Sequence, residues 1–231
     1  MMSGYFGYMI IAGIISVVGM IVSGKLKEKF QKYSQIPLRA GLSGREVARQ
    51  MLEYYGISDV KIVRGQGFLT DHYNPLTKTV TLSPQIYDGR TIMAAAVAAH
   101  ECGHAVQHAT AYQWLQMRSA IVPVVKFASY AQQVLLFMAL GMFSSNPTIL
   151  LITVIAFLVT AAFAFITLPV EFDASNRALA WLQSSGIARG AEYEGASDAL
   201  KWAGMTYVAS ALSALLMVLY LLSRYMAADR R

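Results

Sequence analysis

The sequence predicts an α-helical integral membrane protein, with about four transmembrane helices and a small α+β domain that carries a short antiparallel sheet. Three observations predict this class. First, only 14% of the 231 residues are charged and 56% are hydrophobic, whereas soluble domains carry about 25% charged residues. Second, four long stretches are almost free of charge and approach the roughly 20 residues that cross a bilayer. Third, residues 60–83 break into short β-branched and aromatic runs, so the hydrophobic period there changes from helical to extended.

The net charge of +6 does not describe a nucleic-acid-binding surface. The basic residues cluster beside an apolar segment, where membrane topology accounts for them. The single cysteine, Cys102, excludes an intramolecular disulfide framework.

Residues 5–24 read as the first span. A cleavable signal peptide would place basic residues before its apolar core. Here Lys25, Lys27, Lys29 and Lys32 follow it, so the span is retained and its C-terminal end faces the cytoplasm. Residues 25–118 form a cytoplasmic α+β domain. Within it, Leu42–Tyr55 has helical spacing at Val47, Met51, Leu52 and Tyr55. Ser43 is its N-cap, Glu46 completes a capping box, and Gly56 stops it. The runs VKIVR, GFLTDHY and TVTLS then predict three strands, with a hairpin around Asn74–Lys78. Strand Thr79–Val80–Thr81 is the expected edge to which an extended peptide could add.

Asp88-Gly89 is expected to open a helix running to about His108. Residues 119–169 read as a hairpin of two spans turning at Ser144-Ser145-Asn146-Pro147, so the chain returns to the side it left. Residues 170–204 are cytoplasmic helices, with Gly186 ending the first of them. Residues 205–223 form a fourth span, although Arg224, Arg230 and Arg231 in the tail run against the orientation set by the first.

The chemistry lies in VAAHECGHAVQ. His100, Glu101 and His104 form H-E-x-x-H, which places two imidazoles four residues apart on one helix face. Two such histidines can hold one metal ion, and Glu101 can act as base towards a zinc-activated water. The hairpin of spans brings Glu171 to the same membrane side. It is either a third zinc ligand or a juxtamembrane carboxylate paired with Arg177 or a lysine. His108 is roughly 12 Å along the helix from His100, too far to share that ion. A metzincin would need a histidine at position 110, which is Thr110. Cys102 faces away from the metal side as a buried small residue, and Gly103 permits a close backbone approach, with the sheet as the candidate neighbour. His72, Arg177 and Tyr193 are polar candidates for stabilising an oxyanion.

The blocks LTDHYNP, TVTLS, AAHECGHAVQ, LPVEFDASNRA and GMTYVASAL extend through nearly the whole chain. In that order they resemble the YugP-type zinc-dependent membrane peptidases. The resemblance implies a gluzincin-like metallopeptidase with one catalytic Zn2+, acting on a protein or peptide substrate beside the lipid bilayer. His100 and His104 match the ligand histidines, Glu101 the base and Glu171 the third ligand.

The plan is more distantly similar to HtpX and the CAAX prenyl proteases. There an aspartate four residues after the ligand glutamate orients a histidine. Here that position is Ser175, while Asp173 stands only two residues on. Asp173, Ser175, Asn176, Arg177 and His72 are therefore the candidates for orienting ligands or stabilising transition-state charge. Membrane or misfolded proteins are the expected substrates. The competing reading is a non-catalytic scaffold or adaptor with a structural zinc. A metal transporter would need polar residues at mid-membrane, where only Gln132 and Gln133 come close.

Overall fold

A computed structural model describes residues 2–141 and 146–229. The elements run α1 (Met2–Ser34), α2 (Gly44–Tyr54), β1 (Lys61–Arg64), β2 (His72–Asn74), β3 (Thr79–Leu82), α3 (Pro84–Tyr87), α4 (Ile92–Ala109), α5 (Gln113–Leu140), α6 (Pro147–Ser184) and α7 (Ala191–Asp229). The protein is mostly helical. Among the described residues, four helices, α1, α5, α6 and α7, are long and apolar enough to cross a membrane.

Two compact units divide the chain. One gathers the apolar parts of α1, α5, α6 and α7. Its outward side chains are large and apolar, with Phe127, Tyr130 and Phe137 exposed by 77%, 82% and 81%, as expected of a surface that meets lipid. Gln132, the polar residue that stood out in this stretch, donates to the Ala156 carbonyl (3.1 Å) and Thr160 Oγ1 (2.6 Å). It joins α5 to α6, which is the usual work of an amide between membrane helices. Ser144 and Ser145 of the expected turn lie outside the described residues. Asn146 caps α6 through its side chain, which accepts from the Ile149 amide at 3.2 Å.

The other unit comprises Ser23–Gln116 and Pro169–Met205. Each span continues without a break as helix into the residues of this unit. The stretch 170–204, read as cytoplasmic helices, is the continuation of α6, which ends at Ser184 just before Gly186, and the start of α7. Such continuity leaves no helix terminus, with its unsatisfied backbone groups, where each apolar segment runs on into these residues.

α2 carries the capping box. The Ser43 amide donates to Glu46 Oε2 (2.7 Å) and the Glu46 amide to Ser43 Oγ (3.3 Å). Its apolar stripe of Val47, Ala48, Met51 and Leu52 is buried against the alanine-rich face of α4. α4 begins at Ile92, with Thr91 Oγ1 accepting from the Ala94 amide at 3.2 Å. Asp88 does not open it. Pro84, at the first position of α3, makes residues 84–88 a separate turn, closed by the Asp88 amide donating to the Pro84 carbonyl at 3.1 Å.

The sheet corrects the expected topology in two respects. β2 and β3 form the antiparallel hairpin, with Asn74 Oδ1 accepting from the Leu76 (2.9 Å) and Thr77 (3.3 Å) amides in the turn. β1, however, pairs parallel with β3, so the sheet is mixed. Its order is β1-β3-β2, and Thr79, Val80 and Thr81 therefore lie in the central strand, not at an edge. Composition explains the placement. β3 alternates partly exposed threonines with fully buried Val80 and Leu82, whereas β1 carries Lys61 and Arg64, and β2 carries His72 and Asn74. Charged and polar strands are the ones suited to an edge. The available edges are β1 and β2.

Candidate metal centre

α4 and α6 build the site between them. α4 is a run of small residues with no breaker before His100, so it packs closely on its neighbours and holds the two histidines rigidly. At Gly103 the approach of α6 is close. A Cβ there would lie 2.5 Å from the Ala174 carbonyl oxygen and 3.1 Å from its Cα. The neighbour that requires glycine is thus α6, not the sheet. Only a residue without a side chain lets the helix carrying Glu171 come this near.

The approach brings three ligand-type atoms together. His100 Nε2 and His104 Nε2 lie 3.4 and 3.5 Å from the same Glu171 oxygen. All three side chains offer atoms within 4.8 Å of one another, and Glu171 is 2% exposed. Bond lengths of about 2.0–2.1 Å in tetrahedral geometry require ligand atoms about 3.3–3.4 Å apart, so these residues fit a zinc ion. Burial alone would raise the Glu171 pKa. Hydrogen bonds and charge from His100 and His104 outweigh it and hold the carboxyl well below the usual range. Burial would lower His104, but Glu171 and Glu101 raise it. The arrangement calls for a cation between the three atoms, and a proton and a divalent metal compete for it.

Glu101 is also buried on α4. Burial pushes its carboxyl up, with Glu171 and Asp71 adding to the effect and the two histidines opposing it. Cys102 is buried on the opposite face, where its thiol donates to the Ala48 carbonyl at 3.5 Å, and burial pushes the thiol up.

Residues 8–226 match the protein family described as "Putative neutral zinc metallopeptidase". The chain belongs to this family. It is also similar to the "Putative membrane protease YugP" of Bacillus subtilis (strain 168), with 43% identity over 191 residues, 83% of this chain and 84% of that protein. No solved structure matches it.

The remaining residues expected from the sequence separate into those near His100, His104 and Glu171 and those elsewhere. Ser175 Oγ stands 3.1 Å from His100 Nδ1. Asp173 reaches no histidine directly. It accepts from Arg177 Nε (2.5 Å) and from Gln107 Nε2 (2.8 Å), and Arg177 also lies over the Tyr112 ring at 5.7 Å. α6 is regular helix here, so Asp173, two residues after Glu171, projects from a different side of it. Asn176 is exposed. His72, in β2, donates from Nδ1 to the Thr70 carbonyl at 2.8 Å, and Tyr193 lies in the first turn of α7. His108 Nδ1 is 2.8 Å from the Tyr73 hydroxyl.

Gln107 is the residue that sequence reasoning missed. It is wholly buried, and its Oε1 lies 3.0 Å from His104 Nδ1. The available signal was a lone amide three residues after a ligand histidine in an apolar run, a spacing that puts both on one helix face.

Proposed function

We propose that the protein is an integral-membrane zinc metalloendopeptidase that hydrolyses peptide bonds of membrane or misfolded proteins at the cytoplasmic face. The observation that carries this reading is the convergence of His100, His104 and Glu171 beside the buried Glu101. His100 Nε2, His104 Nε2 and a Glu171 carboxylate oxygen would hold the zinc, leaving a fourth position open. When bound, zinc acidifies water and polarises a carbonyl. Glu101 takes the proton from the attacking water and returns it to the leaving amine, and its raised proton affinity suits both steps. The low exposure of Glu101 and Glu171 keeps bulk water from screening these charges.

The name of the Bacillus relative supports a membrane setting. Residues 5–24, 119–169 and 205–223 would span the bilayer, with 25–118 and 170–204 on the cytoplasmic side, where the lysines following the first span belong. The test is zinc-dependent cleavage. The purified full-length protein in lipid nanodiscs should degrade an unfolded protein and a membrane-anchored one, stop on chelation, and recover with added zinc. Stoichiometric zinc without hydrolysis of either substrate would favour a structural metal in an adaptor.

A further inference from the structure

We propose that Gln107 is the positioning residue of the site, fixing the tautomer of His104 and the register of the α6 turn that carries Glu171. The inference rests on the zinc-site reading above. Its premise is a chain of hydrogen bonds whose directions are not interchangeable.

Gln107 Nε2 lies 2.7 Å from the Val170 carbonyl and 2.8 Å from Asp173 Oδ2. A backbone carbonyl and a carboxylate can only accept, so both amide hydrogens are committed and the orientation of the amide is set. Its oxygen must then be the atom that faces His104 Nδ1 at 3.0 Å. An amide oxygen only accepts, so Nδ1 carries the hydrogen. In neutral imidazole this leaves the lone pair on Nε2, the atom that faces Glu171 at 3.5 Å. His100 has no such constraint, because its neighbour Ser175 Oγ, at 3.1 Å, can either donate or accept.

The same amide ties two helices. Val170 directly precedes Glu171, so the bond to its carbonyl anchors the Glu171 turn of α6 to α4 one turn beyond His104. The choice of amide over carboxylate also has an electrostatic reason. Glu101 and Glu171 already place two carboxylates in a buried pocket. A third beside His104 would add repulsion at low dielectric. Gln107 instead passes on the influence of Asp173 at one remove, while Arg177 balances that charge.

With four histidines in the chain, 15N-histidine NMR of the full-length protein in detergent resolves each ring. In the metal-free wild type, His104 is expected in the Nδ1–H form whenever it is neutral. In Gln107→Leu, which keeps most of the volume, Nε2–H should become populated at His104 while the His100 tautomer stays as in the wild type, and zinc affinity should fall by about 10–100-fold in a chelator competition. Gln107→Glu should weaken zinc because it faces Asp173, and adding Asp173→Asn should recover much of the loss. An Nε2–H His104 in the metal-free wild type would overturn the proposal, even if Gln107→Leu fails to fold. So would a Gln107→Leu variant with unchanged tautomer and zinc affinity, or a double variant no better than Gln107→Glu alone. Failure of the wild type to bind zinc at all would instead defeat the underlying site reading.

Discussion

The two faces of α4 are held in place by different means. The face towards α2 is dry. Ala94, Ala95, Ala98, Ala99 and Cys102 are essentially unexposed, and Val47, Ala48, Met51 and Leu52 fill the space opposite. The face towards α6 is polar, with His100, His104 and Gln107 each hydrogen-bonded and Glu101 buried among charges. The difference teaches a division of labour. Apolar packing makes the helix rigid without constraining its chemistry, and the rigid helix can then keep buried polar groups whose burial is itself unfavourable. Damage to one face should therefore read out as lost stability and damage to the other as lost chemistry.

The sharpest separation is expected from Glu101→Gln. It keeps the volume and removes the base, so hydrolysis should fall by about 10²–10⁴-fold, with melting temperature and zinc stoichiometry unchanged. Assays on the same sample by peptide cleavage, scanning calorimetry and elemental analysis would check this. Wild-type activity in that variant would end the proposed mechanism. Met51→Ala attacks the dry face. It should cost about 2–5 kcal/mol, while the folded fraction still binds one zinc with native affinity. Loss of zinc without loss of stability would contradict the division.

Gly103→Ala lies on the face towards α6. The new Cβ would press on Ala174 backbone, which cannot swing aside. A cost of about 1–3 kcal/mol is expected, together with weaker zinc binding, because Glu171 lies one turn away on the helix displaced. Unchanged values for both would mean that α6 adjusts freely.

The smallest effect concerns a polar tie remote from both faces. Asp198 accepts from Tyr33 (2.7 Å) and pairs with Lys29 (2.8 Å), joining α7 to α1 within the same unit. Burial would raise its carboxyl, but the bonds from Lys29 and Tyr33 win and lower it. The stability it contributes is thus complete above the ordinary carboxylate value and is lost as pH falls through the lower folded value. Asp198→Asn should reduce stability by no more than about 1 kcal/mol near neutral pH. The gap from wild type should close as pH falls below the ordinary carboxylate value and through the lower folded one. A constant gap over that range, read from thermal melts, would contradict the assignment.

What could be read from the chain, and what could not, follows from the range of each interaction. The Ser43/Glu46 cap, the Asn74 turn and the i, i+4 histidines are local patterns, and all three occur where their spacing indicates. Glu171 was reachable because the expected hairpin of spans narrowed the choice of side. The order of the strands was not legible. Sequence adjacency favours a simple meander, whereas the buried Val80 and Leu82 draw β3 to the centre. The partner of Gly103 and the role of Gln107 depend on α6, more than sixty residues away in sequence. A lone glycine or glutamine carries no mark of such a partner.

In the proposed site α4 and α6 present three ligands and leave a fourth position to solvent. Anomalous scattering at the zinc edge from crystals of the full-length protein tests it directly. One zinc bound by His100 Nε2, His104 Nε2 and Glu171, each at about 2.0–2.2 Å, with a non-protein fourth neighbour near Glu101, is the predicted result. A zinc closed by four protein ligands, or bound without Glu171, would contradict it.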